Sequence, residues 1–202
     1  MYKHSNFRAI DLTVGALFVV LMAIGANIAI WLPFLKVTLG GATVPISLQT
    51  FFAILAGLLL GKKLGAFSIF VYLLVGAVGV PVFAEMQAGI GQFITPTGGF
   101  LISFLFVAWA SGWITEKVKE RNLLTYMIAA LVGLMINYVI GTPYLYFIMN
   151  NVMETSISLS GASMMMLPFF VKDFILTFFV ASLAKVLVQR TNPIFPTQHI
   201  QH

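Results

Sequence analysis

A lysine and an aspartate stand side by side, Lys172 and Asp173, inside a stretch that is otherwise mostly apolar from Met164 to Val188. Burying one such charge at membrane depth costs ~2.5–3.5 kcal/mol on insertion scales, so it normally faces a cavity or a partner. Neighbours on a helix point about 100° apart, so the two are not expected to face one another, and each is free to meet something else. Lys172 has the reach to snorkel to headgroups; Asp173 does not. Asn137, Tyr138 and Tyr144 lie on one apolar segment, Gln49 and Thr50 open another, and Asn27 lies on a third. Asn137 also suits an interhelical hydrogen bond, worth only ~0.6 kcal/mol on average in a bundle. The tyrosines also suit an aromatic belt. The chemistry these groups share is non-covalent: amides donate and accept, and a carboxylate accepts strong charge-assisted bonds.

Catalytic patterns are missing. There is no His-Glu-x-x-His, no Gly-x-Ser-x-Gly and no Asp/Glu cluster for a metal, and His4, His199 and His202 are all terminal. The absence of cysteine removes disulfides, thiol catalysis, iron–sulfur clusters and zinc thiolates. Gly57-Leu-Leu-Leu-Gly61-Lys62-Lys63 is one residue short of a phosphate loop and has lysine where Ser or Thr must hold magnesium. Neither an enzyme nor an intrinsic nucleotide site is expected, and no metal or cofactor is called for.

The elements that position these residues follow from composition. Of 202 residues, 60% are hydrophobic and only 8% charged, and mean hydropathy is +1.00. A soluble domain of this size leaves roughly a third of its unfolded surface exposed and has nowhere to hide that much apolar area. The chain reads as an all-α integral membrane protein. A crossing takes about 20 apolar residues. Six segments qualify, the second of them short: Leu12–Leu32, Leu48–Leu60, Leu64–Val80, Gly99–Ile114, Leu123–Ile148 and Met164–Val188, with Pro33 and Pro81 as stops. They are apolar all round, without the alternation of outer-membrane strands. No small-residue cleavage site follows the first apolar run, which is also too long for a signal peptide, so it stays as a helix.

With the N-terminus inside, Lys3, Arg8, Lys62, Lys63, Lys117, Lys119, Arg121, Lys185 and Arg190 face the cytoplasm, and only Lys36, with Glu85 and Glu154, lies in outer loops. That bias obeys the positive-inside rule. The net charge of +5 is therefore a topology signal, and no nucleic-acid partner is expected. The inner connections, Gly61–Lys63 and Thr115–Asn122, are short; the outer ones, Pro33–Ser47, Pro81–Gly98 and Met149–Ser163, are long and rich in Gly and Pro. Long structured loops on one face suit a lid over an outward-opening site, although they also serve as plain connections. The polar residues all fall in the outward halves of the helices, which favours a closed outer pocket over a pore. Ala53, Gly57, Gly61 and Gly65, and likewise Ala108 and Gly112, repeat at four-residue spacing that lets helices touch.

Three runs are similar to the BioY family, the biotin-binding S components of energy-coupling-factor (ECF) transporters. They are Val44-Pro45-Ile46-Ser47-Leu48-Gln49-Thr50 with Leu55–Gly61, then Tyr72–Phe83, then Pro96-Thr97-Gly98-Gly99-Phe100. Tyr138…Gly141…Tyr144 and Pro168…Asp173 add weaker matches, so the resemblance covers most of the chain. Lys172 stands where the family pattern has glycine and Leu176 where it has lysine; Thr95 replaces a further glycine. The family lysine's role is therefore not carried to position 176. The resemblance implies a single six-helix domain over residues 1–202 with both termini cytoplasmic, in a prokaryotic plasma membrane. It would capture biotin from outside and deliver it with a membrane T component and two cytosolic ATPases. For such a ligand, chemistry suggests Asp173 on the ureido N–H groups, completed by Asn137 or Gln49, and Tyr138, Tyr144, Phe93 and Phe100 around the rings. Lys172 would meet the carboxylate, Thr97 would join the site, Val44, Pro45 and Ile46 would cap it, and Gly15, Ala16, Val19 and Ala23 would dock the T component. The alternatives are an S component for another vitamin, an ion-coupled carrier acting alone, or a membrane enzyme or scaffold; against a carrier, no inverted repeat is visible.

Overall fold

A computed structural model describes residues 8–32, 36–39, 42–118 and 121–191. Five α-helices carry the fold: α1 (Ala9–Trp31), α2 (Gln49–Ala77), α3 (Gly98–Lys117), α4 (Leu123–Asn151) and α5 (Leu159–Thr191). All five are long and apolar enough to cross a membrane. Their outward faces are greasy, with Leu17, Val20, Phe70, Trp109, Val139 and Phe179 among the exposed side chains. Small and aromatic residues such as Ala53, Ala56, Tyr72, Val107, Ala129 and Leu134 fill the interior. The protein is a multi-pass, helical membrane protein.

The expected second and third segments, 48–60 and 64–80, fall within the one element α2. It is not straight. Gly61 has φ 77° and ψ 178°, outside the helical region. Gln49 Nε2 donates to the Tyr72 hydroxyl at 2.9 Å across 23 residues, a separation that a straight helix would stretch to about 34 Å. The helix reverses at Gly61, and its two arms, 49–60 and 62–77, lie side by side. Glu116 on α3 holds the bend. Its Oε1 accepts from the Lys62 amide at 2.8 Å, and its Oε2 is 3.2 Å from Lys62 Nζ. The carboxylate thus serves the free N–H groups that open the second arm. At Gly57 the backbone of α3 comes so close that an added Cβ would run into the Ala108 carbonyl, the packing use expected of the small-residue spacing.

The connections differ from expectation at two places. The stretch between α1 and α2 contains a two-stranded antiparallel hairpin, β1 (Lys36–Leu39) and β2 (Ala42–Pro45), with Val37 opposite Val44 and Thr38 opposite Thr43. The all-α expectation misses it; β-branched pairs around Gly-Gly are its signal. The third outer connection is not long. Residues 149–151 complete α4, and α5 begins at Leu159, where Ser158 Oγ accepts from the Gly161 amide at 3.0 Å and caps the helix. Two 3-10 turns, Ala84–Met86 and Ile90–Ile94, structure the connection before α3. The stop assigned to Pro33 lies outside the described residues.

Gly61→Ala puts a Cβ at positive φ and into the Glu116 carboxylate. It should cost ~1–3 kcal/mol and lower the apparent melting temperature in detergent; an unchanged melting curve would show that the bend does not need glycine.

Candidate binding site

One cavity of about 300 Å³ lies between the starts of α2 and α3, the 83–97 connection, and the middles of α4 and α5. That is the lower end of the range for small-molecule pockets. Its apolar wall includes Phe83, Phe100, Leu101, Phe104, Met166 and Phe169. Its polar wall is a connected network. Asp173, 5% exposed, accepts at Oδ2 from the Tyr138 hydroxyl at 2.8 Å and from the Thr50 hydroxyl at 3.1 Å. Thr50 Oγ1 accepts in turn from Asn137 Nδ2 at 3.2 Å. The Ser103 hydroxyl lies 2.6 Å from Asn137 Oδ1 and 2.7 Å from the Phe100 carbonyl, and donates to one of them at a time.

Helix geometry explains the carboxylate's place. Thr50 sits in the first turn of α2, so Asp173 meets the positive end of that helix. The first arm, 49–60, reaches only about 18 Å at 1.5 Å per residue, less than the ~30 Å hydrocarbon layer. Its shortness leaves room for a pocket above its start.

Lys172 and Asp173 do not go separate ways as expected. Lys172 Nζ lies 2.7 Å from Asp173 Oδ1 and donates to the Ser47 carbonyl at 2.6 Å. The Cβ atoms diverge, but the four-carbon stem of lysine folds its ammonium back over the neighbouring carboxylate. Even so, Oδ1 is fully buried and receives no well-directed hydrogen bond from any described residue. Among the described residues, its charge partner is the Lys172 ammonium.

Of the expected site residues, Asp173, Lys172, Asn137, Tyr138, Gln49, Thr97 and Pro45 line the cavity. Tyr144 and Phe93 do not. Tyr144 donates to the Phe93 carbonyl at 2.6 Å, and the Phe93 ring packs edge-on against Phe83 at 5.8 Å, so both stand behind the wall and brace it. Ile46 is half-buried beside the cavity without lining it. Val44 pairs with Val37 in the hairpin; its side chain lies outside the described residues. Ser103, Phe104, Phe83 and Phe169 were not anticipated, because a lone serine or phenylalanine in an apolar helix carries no signal of direction. On the outside of the bundle, Gly15, Ala16 and Val19 of α1 line a shallow groove with Leu64, Phe67 and Ser68 of α2. Ala23 lies beyond it, its carbonyl accepting from Asn27.

A family model, BioY, matches residues 1–193. The chain belongs to the BioY family. A "Putative biotin transporter BioYB" from Bacillus subtilis is 40% identical over 185 residues, covering 92% of this chain and 90% of that one. A "Biotin transporter BioY" from Thermotoga maritima is 34% identical over 138 residues, covering 68% and 75%. The crystal structure of an S-component for biotin from an ECF-type ABC transporter superposes with a TM-score of 0.70 at 23% identity, covering 93% of this chain and 95% of that one. The BioY fold is therefore shared with a solved S component.

Removing one member of the buried ion pair strands the other, whereas removing both does not. Asp173→Leu and Lys172→Met should each lower the apparent melting temperature more than the double variant does. A double variant less stable than either single would contradict the pairing.

Proposed function

We propose that this BioY-family protein is the biotin-capturing S component of an ECF-type transporter, taking up biotin across a prokaryotic plasma membrane. The relatives named as biotin transporters support the substrate, and the polar network of Asp173, Asn137, Tyr138 and Thr50 in the cavity wall carries the reading for the site. Biotin's ureido head offers two N–H donors and one carbonyl, followed by an apolar bicycle and a four-methylene chain ending in a carboxylate. Asp173 Oδ1 accepts from the ureido, and the second amide hydrogen of Asn137, or Gln49, donates to its carbonyl. Tyr138, Phe100, Phe104 and Phe169 pack the bicycle, and the carboxylate end points toward the polar mouth at Gln87, Gln92 and Thr97.

The role expected for Lys172 changes. Head and carboxylate are opposite ends of the ligand, whereas Lys172 Nζ and Asp173 Oδ1 are 2.7 Å apart. Lys172 instead pairs with Asp173 and compensates its charge. Biotin is cargo here, and no cofactor takes part.

The topology proposed is a single domain of six crossings, with the two arms of α2 as separate spans and both termini in the cytoplasm. The Lys62–Glu116 contact sets the α2 bend beside the basic end of α3, and the cavity lies at the other end of the bundle, toward the outside. With no nucleotide site of its own, the chain needs a membrane T component and two cytosolic ATPases to drive transport. The α1–α2 groove at Gly15, Ala16 and Val19 is the docking surface proposed for the T component.

Purified protein should bind biotin one-to-one in calorimetry without ATP or any other subunit. Asp173→Asn and Lys172→Ala should each weaken binding at least about tenfold, or ~1.4 kcal/mol. Lys172→Ala should weaken biotin and its methyl ester equally; a loss confined to biotin would return Lys172 to the carboxylate. No heat with biotin, but heat with another vitamin, would overturn the substrate. Ala16→Phe should leave biotin binding intact and abolish uptake by the assembled transporter; undiminished uptake would remove the groove from the partner interface.

A further inference from the structure

Asn27 is the one outward polar residue of α1 that the binding network does not absorb, and it is 3% exposed. Its Nδ2 donates to the Ala23 carbonyl at 3.0 Å within its own helix. Its Oδ1 accepts from the backbone amide of Met86 at 2.7 Å. That amide belongs to an unusual turn. Glu85 and Met86 are consecutive non-glycine residues with φ of 56° and 58°, a conformation that L side chains rarely adopt without support. Both flanks of the turn are anchored independently. The Phe83 amide donates to the Gln87 carbonyl at 3.0 Å, the Tyr72 hydroxyl donates to the Val82 carbonyl at 3.1 Å, and the Gly89 amide donates to the Gly76 carbonyl at 2.8 Å.

The turn matters because it is wall. Ala84, Glu85 and Gln87 line the cavity on the side facing Pro45 and Ser47. Lys36 of the hairpin reaches Glu85 at 3.4 Å and joins the two sides. That pair is exposed and contributes little alone. The buried amide of Asn27 is the firmer hold.

We propose that Asn27 is a positioning residue of the ligand site: by holding the Met86 amide it keeps the 84–87 turn in its strained conformation as a wall of the cavity, and so sets how long the ligand stays. This rests on the reading of the cavity as the biotin site. Asn27 touches no ligand itself. Losing the bond lets Glu85 and Met86 relax toward ordinary backbone angles and draws the wall away.

The test is biotin dissociation, followed by chasing bound radiolabelled biotin with excess unlabelled biotin. Asn27→Ala should speed dissociation roughly threefold to tenfold, the worth of one hydrogen bond, with association little changed. Met86→Gly added to Asn27→Ala should recover most of the loss, because glycine adopts positive φ without support. A merely destabilised bundle would not be rescued this way. Dissociation from Asn27→Ala within twofold of the original protein, or no recovery with Met86→Gly, overturns the proposal. Should Asn27→Ala fail to fold, hydrogen exchange on the unaltered protein decides. The Met86 amide, in a residue 53% exposed, should be protected like a helix interior, and exchange at the rate of a free loop amide overturns the proposal. If the unaltered protein holds no biotin, the functional reading has failed, whereas fast release confined to the variants leaves both standing.

Discussion

A carboxylate buried among apolar helices is tolerable only if other groups take up its lone pairs and its charge. Asp173 is that carboxylate, and much of the interior is arranged around it. Three helices and a connection each send something toward it: Thr50 from the start of α2, Tyr138 from α4, Lys172 from α5 itself, and Ser47, whose carbonyl steadies the lysine. A buried carboxylate in the wall of a cavity asks for an explanation, and a small molecule with N–H groups supplies one.

Two features of the backbone set this network beside the pocket. The reversal of α2 at Gly61 produces a first arm shorter than a bilayer is thick, and the positive end of that arm, at Gln49 and Thr50, faces the pocket. The Glu116 clamp closes the opposite end of the bundle around the bend. Polar groups therefore gather around the pocket, while small residues such as Gly57 let α2 and α3 touch away from it.

Much of this was legible in the residues. Apolar runs located the helices long enough to cross a membrane, and the isolated polar residues Asp173, Asn137, Gln49 and Tyr138 marked the cavity, because at membrane depth a polar group must have a purpose. Small-residue spacing at Gly57 foretold the tight α2–α3 contact. What failed had physical reasons. The Lys172–Asp173 contact depends on a flexible stem, which directions of Cβ atoms do not capture. Tyr144 and Phe93 have the right chemistry for a wall, yet their own mutual bond places them behind it. Glu85 read as a plain loop charge, since left-handed backbone in Glu-Met carries no compositional mark.

The most direct measurement is a crystal structure with biotin bound. The account predicts the ureido nitrogen within about 3 Å of Asp173 Oδ1, the bicycle against Tyr138 and Phe100, and the carboxylate toward Gln92 and Thr97. Biotin seated elsewhere, or Asp173 still bonded only to protein groups while the ligand lies in the cavity, would contradict it.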